Sequence, residues 1–144
     1  MKILKILFII ISIISTNKGM SQNITAHQWE NRVLLVLTDN ADTCTFQNQI
    51  KELQENENGL KDRKLIVYQI KEDTFSIGLK NEKWQNSSKL YKTYKSTNSP
   101  FEVVLIGLDG GIKLRQNYIL TCKKLFKTID VMPMRKSELK RKGN

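Results

Sequence analysis

Residues 33–53 read VLLVLTDNADTCTFQNQIKEL, a strand, a turn and a helix in direct succession. The uninterrupted apolar run at 33–37 is typical of a strand that is buried on both faces of a sheet covered by helices. Asp42 and Thr43 are both suitable N-cap residues for the helix that follows. Apolar side chains then recur at the i, i+4, i+7 spacing of an amphipathic helix, at Phe46, Ile50 and Leu53. The stretch therefore predicts the first β-α step of an α/β fold.

A second strand at residues 64–70 completes a βαβ unit. Its two strands should be parallel, because a helix connects them. Residues 71–86 show no clear period, which predicts an irregular loop. A short helix follows and ends at residues 98–100, where a proline stands. Its apolar face carries three side chains, Leu90, Tyr91 and Tyr94.

The last third of the chain predicts a β-hairpin and a closing helix. Residues 101–107 are a third apolar strand, residues 109–111 (Asp-Gly-Gly) are a tight-turn signal, and residues 112–115 alternate like a solvated edge strand. Behind a Thr121 cap, one helical face carries Cys122, Leu125, Phe126 and Ile129. The order β-α-β-α-β-β-α with a central mixed sheet is the thioredoxin-like arrangement of an α/β fold. Strands 33–37 and 103–106 should be central and adjacent.

Three stretches of sequence resemble a known family, and this resemblance is more specific than the order of the elements. They are Trp29-x-x-Arg32-Val33-Leu34-Leu35-Val36, the run from Val103 to Leu114, and Ile129-Asp130-Val131-Met132-Pro133-Met134-Arg135. Together they resemble a thioredoxin-like family of unknown function that also occurs in sushi-repeat-containing extracellular proteins. The resemblance spans nearly the whole chain after residue 21 and implies a thioredoxin-like fold. It implies no catalytic residues.

The N-terminus has the pattern of an export signal. Two lysines precede the apolar run 6–14, which is shorter than the roughly 20 residues that span a bilayer. Small side chains, Gly19 and Ser21, stand at −3 and −1 of a cleavage before Gln22. The sequence therefore predicts a signal peptide at 1–21 and export to the periplasm or the extracellular space.

Positive charge is concentrated at the C-terminus. The chain has 24 Lys and Arg against 14 Asp and Glu, a net charge of +10, and residues 135–144 hold five basic residues against Glu138. Such a run is typical of a solvated tail, so the exported chain divides into a thioredoxin-like domain at 22–134 and a basic tail at 135–144. We expect deletion of residues 136–144 to leave thermal stability nearly unchanged. Weak contact of the tail with anionic surfaces is the alternative.

Cys44 and Cys122 are the candidate catalytic residues. Cys44 stands where the first strand passes into its helix, the place of the reactive cysteine in thioredoxin-like proteins. A thiolate there is stabilised by unpaired N–H groups and by the helix dipole. The Cys-x-x-Cys of redox oxidoreductases is absent, since position 41 is Ala and position 47 is Gln. In peroxiredoxins a Thr precedes the reactive cysteine by three residues, where this chain has Ala41. Arg115 is the arginine that remains to stand in for the missing donor.

Cys122 lies on the apolar face of the last helix, where a free thiol packs as a small hydrophobe. In this fold the first and last helices lie side by side, and both cysteines fall in a first helical turn. A disulfide between Cys44 and Cys122 and two free thiols therefore both remain open. An enzyme in which Cys122 resolves needs Cys44 to be exposed with a depressed pKa, whereas a non-catalytic module tolerates a buried or permanently bridged Cys44.

Pro100 stands before the third strand, where thioredoxin-like proteins carry a cis-proline that faces the reactive loop. The resemblance suggests a cis bond, and an ordinary trans proline that ends the preceding helix is the alternative. Cys44, Pro100 and Thr121 form the predicted binding region, because this edge binds peptides throughout the fold. The predicted partner is an unidentified protein or peptide. Nucleic acid is disfavoured, because no basic stripe with interleaved aromatic residues occurs.

The remaining candidates have structural interpretations. His27 should be a surface residue before the first strand, Asp109 a hairpin residue, and Met132 and Met134 should pack the chain end onto the core. A single histidine gives no zinc-binding spacing, so no metal and no cofactor is predicted. The sequence thus favours an exported binding or structural module without catalysis. The alternative is a thiol-based redox protein, peroxiredoxin-like or active in disulfide exchange, that uses Cys44 and Cys122.

Overall fold

A six-stranded mixed sheet lies at the centre of the structure, a computed structural model that describes residues 24–80 and 83–143. The predicted signal peptide at 1–21 lies outside the described residues. In chain order the elements are a 3₁₀ turn (Ile24–His27), β1 (Arg32–Thr38), α1 (Cys44–Glu55), α2 (Glu57–Asp62), β2 (Leu65–Ile70), β3 (Thr74–Ile77), β4 (Gln85–Asn86), α3 (Ser88–Tyr94), β5 (Phe101–Ile106), β6 (Ile112–Gln116), α4 (Cys122–Asp130) and α5 (Pro133–Lys142).

The strands follow the order β4-β3-β2-β1-β5-β6. β1 pairs in parallel with β2, which confirms the βαβ unit, and antiparallel with β5. The pair β5–β6 is the predicted hairpin. β1 and β5 are therefore adjacent and central, and β6 is an edge strand, as the apolar patterns indicate.

Two apolar clusters cover the two faces of the sheet, and β1 contributes to both. Leu34 and Val36 face α1 and α4, whereas Val33, Leu35 and Leu37 face α3 and the 3₁₀ turn. All residues of β1 are buried. This double burial explains why the strand is a continuous apolar run rather than an alternating one.

The prediction of an irregular loop at residues 71–86 is wrong. Lys71 N donates to Thr74 O at 2.7 Å and closes a turn into β3, which pairs antiparallel with β2, and β4 then pairs with β3. Both strands are short, and β3 buries the polar side chain of Ser76 beside the apolar Phe75. The two-residue period that identifies a strand is therefore hidden.

The prediction of a solvated tail is wrong for one face of residues 135–142, a segment that lies in α5 and packs on the domain through Arg135 and Glu138, whereas most of its other side chains are exposed, as predicted. Pro133 occupies the first turn of α5, a position that suits proline because its missing N–H has no partner there anyway. Arg135 in this helix is 1% exposed. Arg135, Glu138 and Lys142 form ion pairs with the body of the domain. Within the described part of the chain, no helix has both the length and the apolar character needed to cross a membrane.

Candidate functional site

Cys44 is exposed and is the first residue of α1. The helix begins there because Thr43 is extended (φ −70°, ψ 142°) and its hydroxyl accepts a hydrogen bond from Phe46 N at 3.4 Å. Asn40 shapes the preceding loop, since its side chain accepts from Asp42 N at 2.9 Å. The thiol therefore lies at a helix N-terminus beyond the C-terminal end of β1, as the sequence predicts.

Pro100 lies beside the Cys44 loop. Thr121, which precedes α4, lies near a later turn of α1. Asp39 N, at the end of β1, donates to Pro100 O at 2.9 Å. The peptide bond before Pro100 is trans, as in the alternative, but α3 already ends at Tyr94, so the prediction that Pro100 ends this helix is wrong. Thr121 caps α4 and accepts from Lys124 N at 3.3 Å. That helix begins beside Glu52 in the third turn of α1, not beside its first turn.

Cys122 is buried and faces Glu52. Its Sγ donates to Glu52 O at 3.5 Å, and its N donates to Glu52 Oε1 at 2.7 Å. Burial, with the Glu52 carboxylate nearby, raises the pKa of the Cys122 thiol to about 12. Glu52 is eight residues beyond Cys44, which is about 12 Å along a helix axis. Both thiols are free, so the considered disulfide is not formed. The first turn of α4 therefore lies beside the third turn of α1 and not beside its first turn, where Cys44 is.

Gln49 determines beside which turn of α1 the helix α4 begins. This residue was not among those identified from the sequence. Its side chain is fully buried, its Nε2 donates to Leu120 O at 3.0 Å, and its Oε1 accepts from Leu120 N at 2.7 Å. This reciprocal pair holds the segment before α4 against the middle of α1. The one signal in the sequence is that Gln49 follows Phe46 by three residues and so falls within the apolar stripe of α1.

Arg115 is committed to a buried carboxylate on the other face of the sheet. Its guanidinium donates to Glu102 and, at 2.7 Å, to Tyr94 O. Glu102 also accepts from the backbone N–H and hydroxyl groups of Ser96 and Thr97. Burial by itself raises the pKa of Glu102, but the hydrogen bonds from Arg115 and Ser96 outweigh it and hold this pKa below its ordinary value. Arg115 is therefore not a free donor for chemistry at Cys44.

A second polar contact ties α3 and the residue after it to the end of β1. Tyr91 Oη donates to Asp39 Oδ1, and Lys95 Nζ lies 3.6 Å from the same carboxylate. Burial, and then the hydrogen bond to Asp39, raise the pKa of Tyr91. These contacts hold α3 against the end of β1 from which the Cys44 loop begins.

The prediction that His27 is a surface residue is wrong. Its ring is half-buried, with Nε2 2.8 Å from the hydroxyl of buried Tyr68. Asp109 is a hairpin residue, as predicted, since its Oδ1 accepts from Gly111 N at 3.0 Å and its Oδ2 lies 2.7 Å from Lys113 Nζ. These contacts, led by Lys113, hold the pKa of Asp109 below its ordinary value.

At the opposite end of β1, α5 joins the domain through a cluster of charges that the sequence reasoning missed. Glu138 accepts from buried Arg32 at 3.2 Å and from buried Arg135 at 3.1 Å. Arg135 also pairs with Asp62 and, at 3.3 Å, with Asp130. Two further pairs, Arg63 with Asp130 at 2.7 Å and Lys142 with Asp62 at 2.6 Å, complete the cluster.

Both aspartates of this cluster have a pKa below the ordinary value. Hydrogen bonds from Lys142 and then Arg135 hold the pKa of Asp62 below its ordinary value. Burial by itself raises the pKa of Asp130, but the hydrogen bond and charge of Arg63 outweigh it, so this pKa is also lowered. Within residues 24–80 and 83–143, no group of three or more His, Cys, Asp or Glu side chains is placed to hold a metal ion.

The sequence matches the family described as a domain of unknown function (DUF4174) over residues 23–138. The chain belongs to this family. Among solved structures, the DUF4174 domain is similar to the reduced 2-Cys peroxiredoxin of Plasmodium vivax, with a TM-score of 0.59 and 16% sequence identity over 80% of this chain and 85% of that one. At this identity the likeness shows the thioredoxin-like fold alone. No curated protein matches the sequence.

Proposed function

We propose that this DUF4174 domain is an exported binding or structural module without catalysis. The observation that carries the proposal is the isolation of Cys44. Its thiol is exposed at the start of α1, while the second thiol, Cys122, is buried against Glu52. A thiol enzyme of this fold needs a second reactive thiol or a set of donors beside the first.

Peroxide reduction requires donors aimed at the peroxide oxygens while the O–O bond breaks. Such donors change rates by orders of magnitude. Ala41 provides no hydroxyl at the position where peroxiredoxins have Thr. Arg115, the arginine considered in its place, is held by Glu102 on the other face of the sheet. A raised thiol pKa also makes Cys122 a poor nucleophile for resolving an oxidised Cys44.

The contact region that we propose is the edge formed by the Cys44 loop and Pro100, with Thr121 at its far side. Cys44, Pro100 and Thr121 are all exposed. The partner that we propose for this edge is a protein or peptide segment, because this edge binds peptides in other proteins of the thioredoxin-like fold. A second, weaker contact is with anionic surfaces, through the basic residues on the exposed side of α5, Lys136, Lys140 and Arg141.

The second candidate function is a thiol-based redox protein. Exposure of Cys44 at the first residue of α1 favours it, because a thiol there is accessible to an oxidant or to another disulfide. The thioredoxin-like fold is compatible with both candidates and does not choose between them.

Stopped-flow oxidation of the reduced chain by hydrogen peroxide separates the two functions. We expect Cys44 to react no faster than free cysteine, and Cys44→Ser to leave folding unchanged. Cys122→Ala is the matched control, because it removes the buried thiol and keeps Cys44. A second-order rate several orders of magnitude above that of free cysteine, lost in Cys44→Ser and kept in Cys122→Ala, would establish the enzyme instead.

A further inference from the structure

A cavity of about 330 Å³ lies at the end of the sheet opposite Cys44. It opens between the β5–β6 hairpin and the turn that joins α4 to α5. Its lining comes from the three stretches that carry the family resemblance, and includes Arg32, Leu108, Lys113, Met132, Pro133 and Met134. The volume is at the small end of the roughly 300–1,000 Å³ that is usual for ligand pockets.

Arg32 is the buried polar group of this cavity. Its side chain is 1% exposed, and its Nη1 donates to Arg63 O at 2.9 Å and to Glu138. Among the described residues, no hydrogen-bond acceptor meets its other two nitrogens, Nε and Nη2. Buried charged donors are almost always paired. The Nε–Nη2 edge presents two parallel N–H groups, the arrangement with which arginine binds a carboxylate through both oxygens.

The charges behind the cavity leave one positive charge unmatched. In the described part of the chain, the cluster joins four cations, Arg32, Arg63, Arg135 and Lys142, to three anions, Asp62, Asp130 and Glu138. At the rim, Lys113 is neutralised by Asp109 at 2.7 Å. A ligand with a single negative charge balances this site, whereas a dianion such as phosphate exceeds it.

The cavity wall selects for an apolar substituent. Met132, Pro133 and Leu108 present hydrocarbon and sulfur, and methionine adapts its shape to different ligands. Arg32 Nε and Nη2 are shielded from solvent, so a ligand reaches them by displacing a flexible side chain. Met134 is suited to this, because it is unbranched and 39% exposed at the cavity mouth.

We propose that this cavity binds a small monocarboxylate with an apolar substituent. The carboxylate accepts from Nε and Nη2 of Arg32, and the substituent packs against Met132, Pro133 and Leu108. The ligand is either a free aliphatic acid or the C-terminal residue of a peptide, which share this chemistry. The site is separate from Cys44 and does not depend on the function proposed for that edge.

Titration of the full-length chain, with the methionine methyl groups observed by NMR, tests the proposal. Hexanoate represents the free acid, and N-acetyl-leucine represents a peptide C-terminus. We expect saturable shifts of the Met132 and Met134 signals with at least one of them. Hexanol, which lacks the charge, should bind at least tenfold more weakly, and inorganic phosphate should cause no saturable shift.

Two variants address the two halves of the site. Arg32→Lys keeps the charge and loses the two-pronged edge, and it should weaken binding at least tenfold. Met134→Trp should fill the mouth and block binding without touching Arg32, and Val131→Trp is its control on the next exposed position outside the cavity. Absence of saturable binding by both carboxylates, or equal binding by phosphate, would overturn the proposal. Fast peroxide chemistry at Cys44 would contradict the proposed function and leave this site standing.

Discussion

At the scale of single residues, Gln49 shows how one buried amide positions a helix. Its oxygen and nitrogen meet the N–H and the carbonyl of Leu120, so all four polar groups are paired away from water. Such a fully paired amide costs little to bury. Glu52, one turn later, then accepts from Cys122 N and caps α4. Two side chains of α1 therefore determine where Cys122 lies and keep it away from Cys44.

We predict that Gln49→Ala lowers the free energy of unfolding by about 2–6 kcal/mol. The variant leaves the N–H and the carbonyl of fully buried Leu120 unpaired, and each unpaired buried group costs about 1–3 kcal/mol. Urea unfolding measures the change. Asn48→Ala is the matched control, because Asn48 is exposed on the same helix and its replacement should change stability by less than about 0.5 kcal/mol. Equal effects of the two variants would contradict the role of Gln49.

At the scale of elements, α5 is held to the domain mainly by charge. Arg135, Glu138 and Lys142 are spaced i, i+3, i+7 and so share one helix face. All three pair with residues of the domain body or with each other. The apolar contribution is small, since Leu139 is 43% exposed. The run of charge that resembles a solvated tail in the sequence is, on this face, an interface.

We predict that Glu138→Gln destabilises the domain by an amount near the lower end of about 3–5 kcal/mol, the cost of breaking a buried ion pair by removing one partner. The variant leaves buried Arg32 without its charge partner, while Arg135 keeps Asp62 and Asp130. Thermal unfolding measures the loss. The control is Glu57→Gln, because Glu57 pairs with Lys61 on the surface, and exposed pairs contribute about 0.2–1 kcal/mol.

The measurement belongs at neutral pH. Folding lowers the pKa values of Asp62 and Asp130, so their stabilising contribution is complete above the unfolded pKa of about 4 and is lost as the pH falls through the folded values.

Deletion of residues 136–144 should lower the melting temperature, contrary to the expectation from sequence. A truncated chain that melts like the full chain would show that the ion pairs of Glu138 and Lys142 contribute nothing.

At the scale of the whole molecule, the two ends of β1 carry different features. The C-terminal end leads to exposed Cys44, and the N-terminal end begins with buried Arg32 above the apolar cavity. The sheet between them is continuous and buried, so the two ends are separate surfaces of one domain. Export would present both surfaces to molecules outside the cytoplasm.

We predict that the exported protein begins at Gln22. The apolar run 6–14 and the small residues Gly19 and Ser21 carry this prediction. Intact-mass measurement of the protein recovered from the periplasm or the medium checks it. Ser21→Phe is the control, since a large side chain at −1 should block cleavage and leave the precursor. A recovered mass that includes residues 1–21 would contradict the prediction.

Local patterns and nearby hydrogen bonds account for what could be inferred before the structure. The continuous apolar run of β1 reports burial on both faces, and Thr43 and Thr121 cap their helices through bonds to residues three positions away. The βαβ unit, the hairpin and the position of Cys44 follow from the same kind of information. These features depend on periodicity and on neighbours within one or two turns, which a single sequence displays.

The tertiary structure decided the features that depend on residues far apart in the chain. The position of α4 along α1 depends on the contact between Gln49 and Leu120, which are 71 positions apart. The docking of α5 depends on the contact between Arg32 and Glu138, which are 106 positions apart. No local pattern marks such pairs, because a buried arginine and a solvated one look alike in sequence. The separation of the two thiols and the unpaired edge of Arg32 depend on these long-range contacts, so only the tertiary structure shows them.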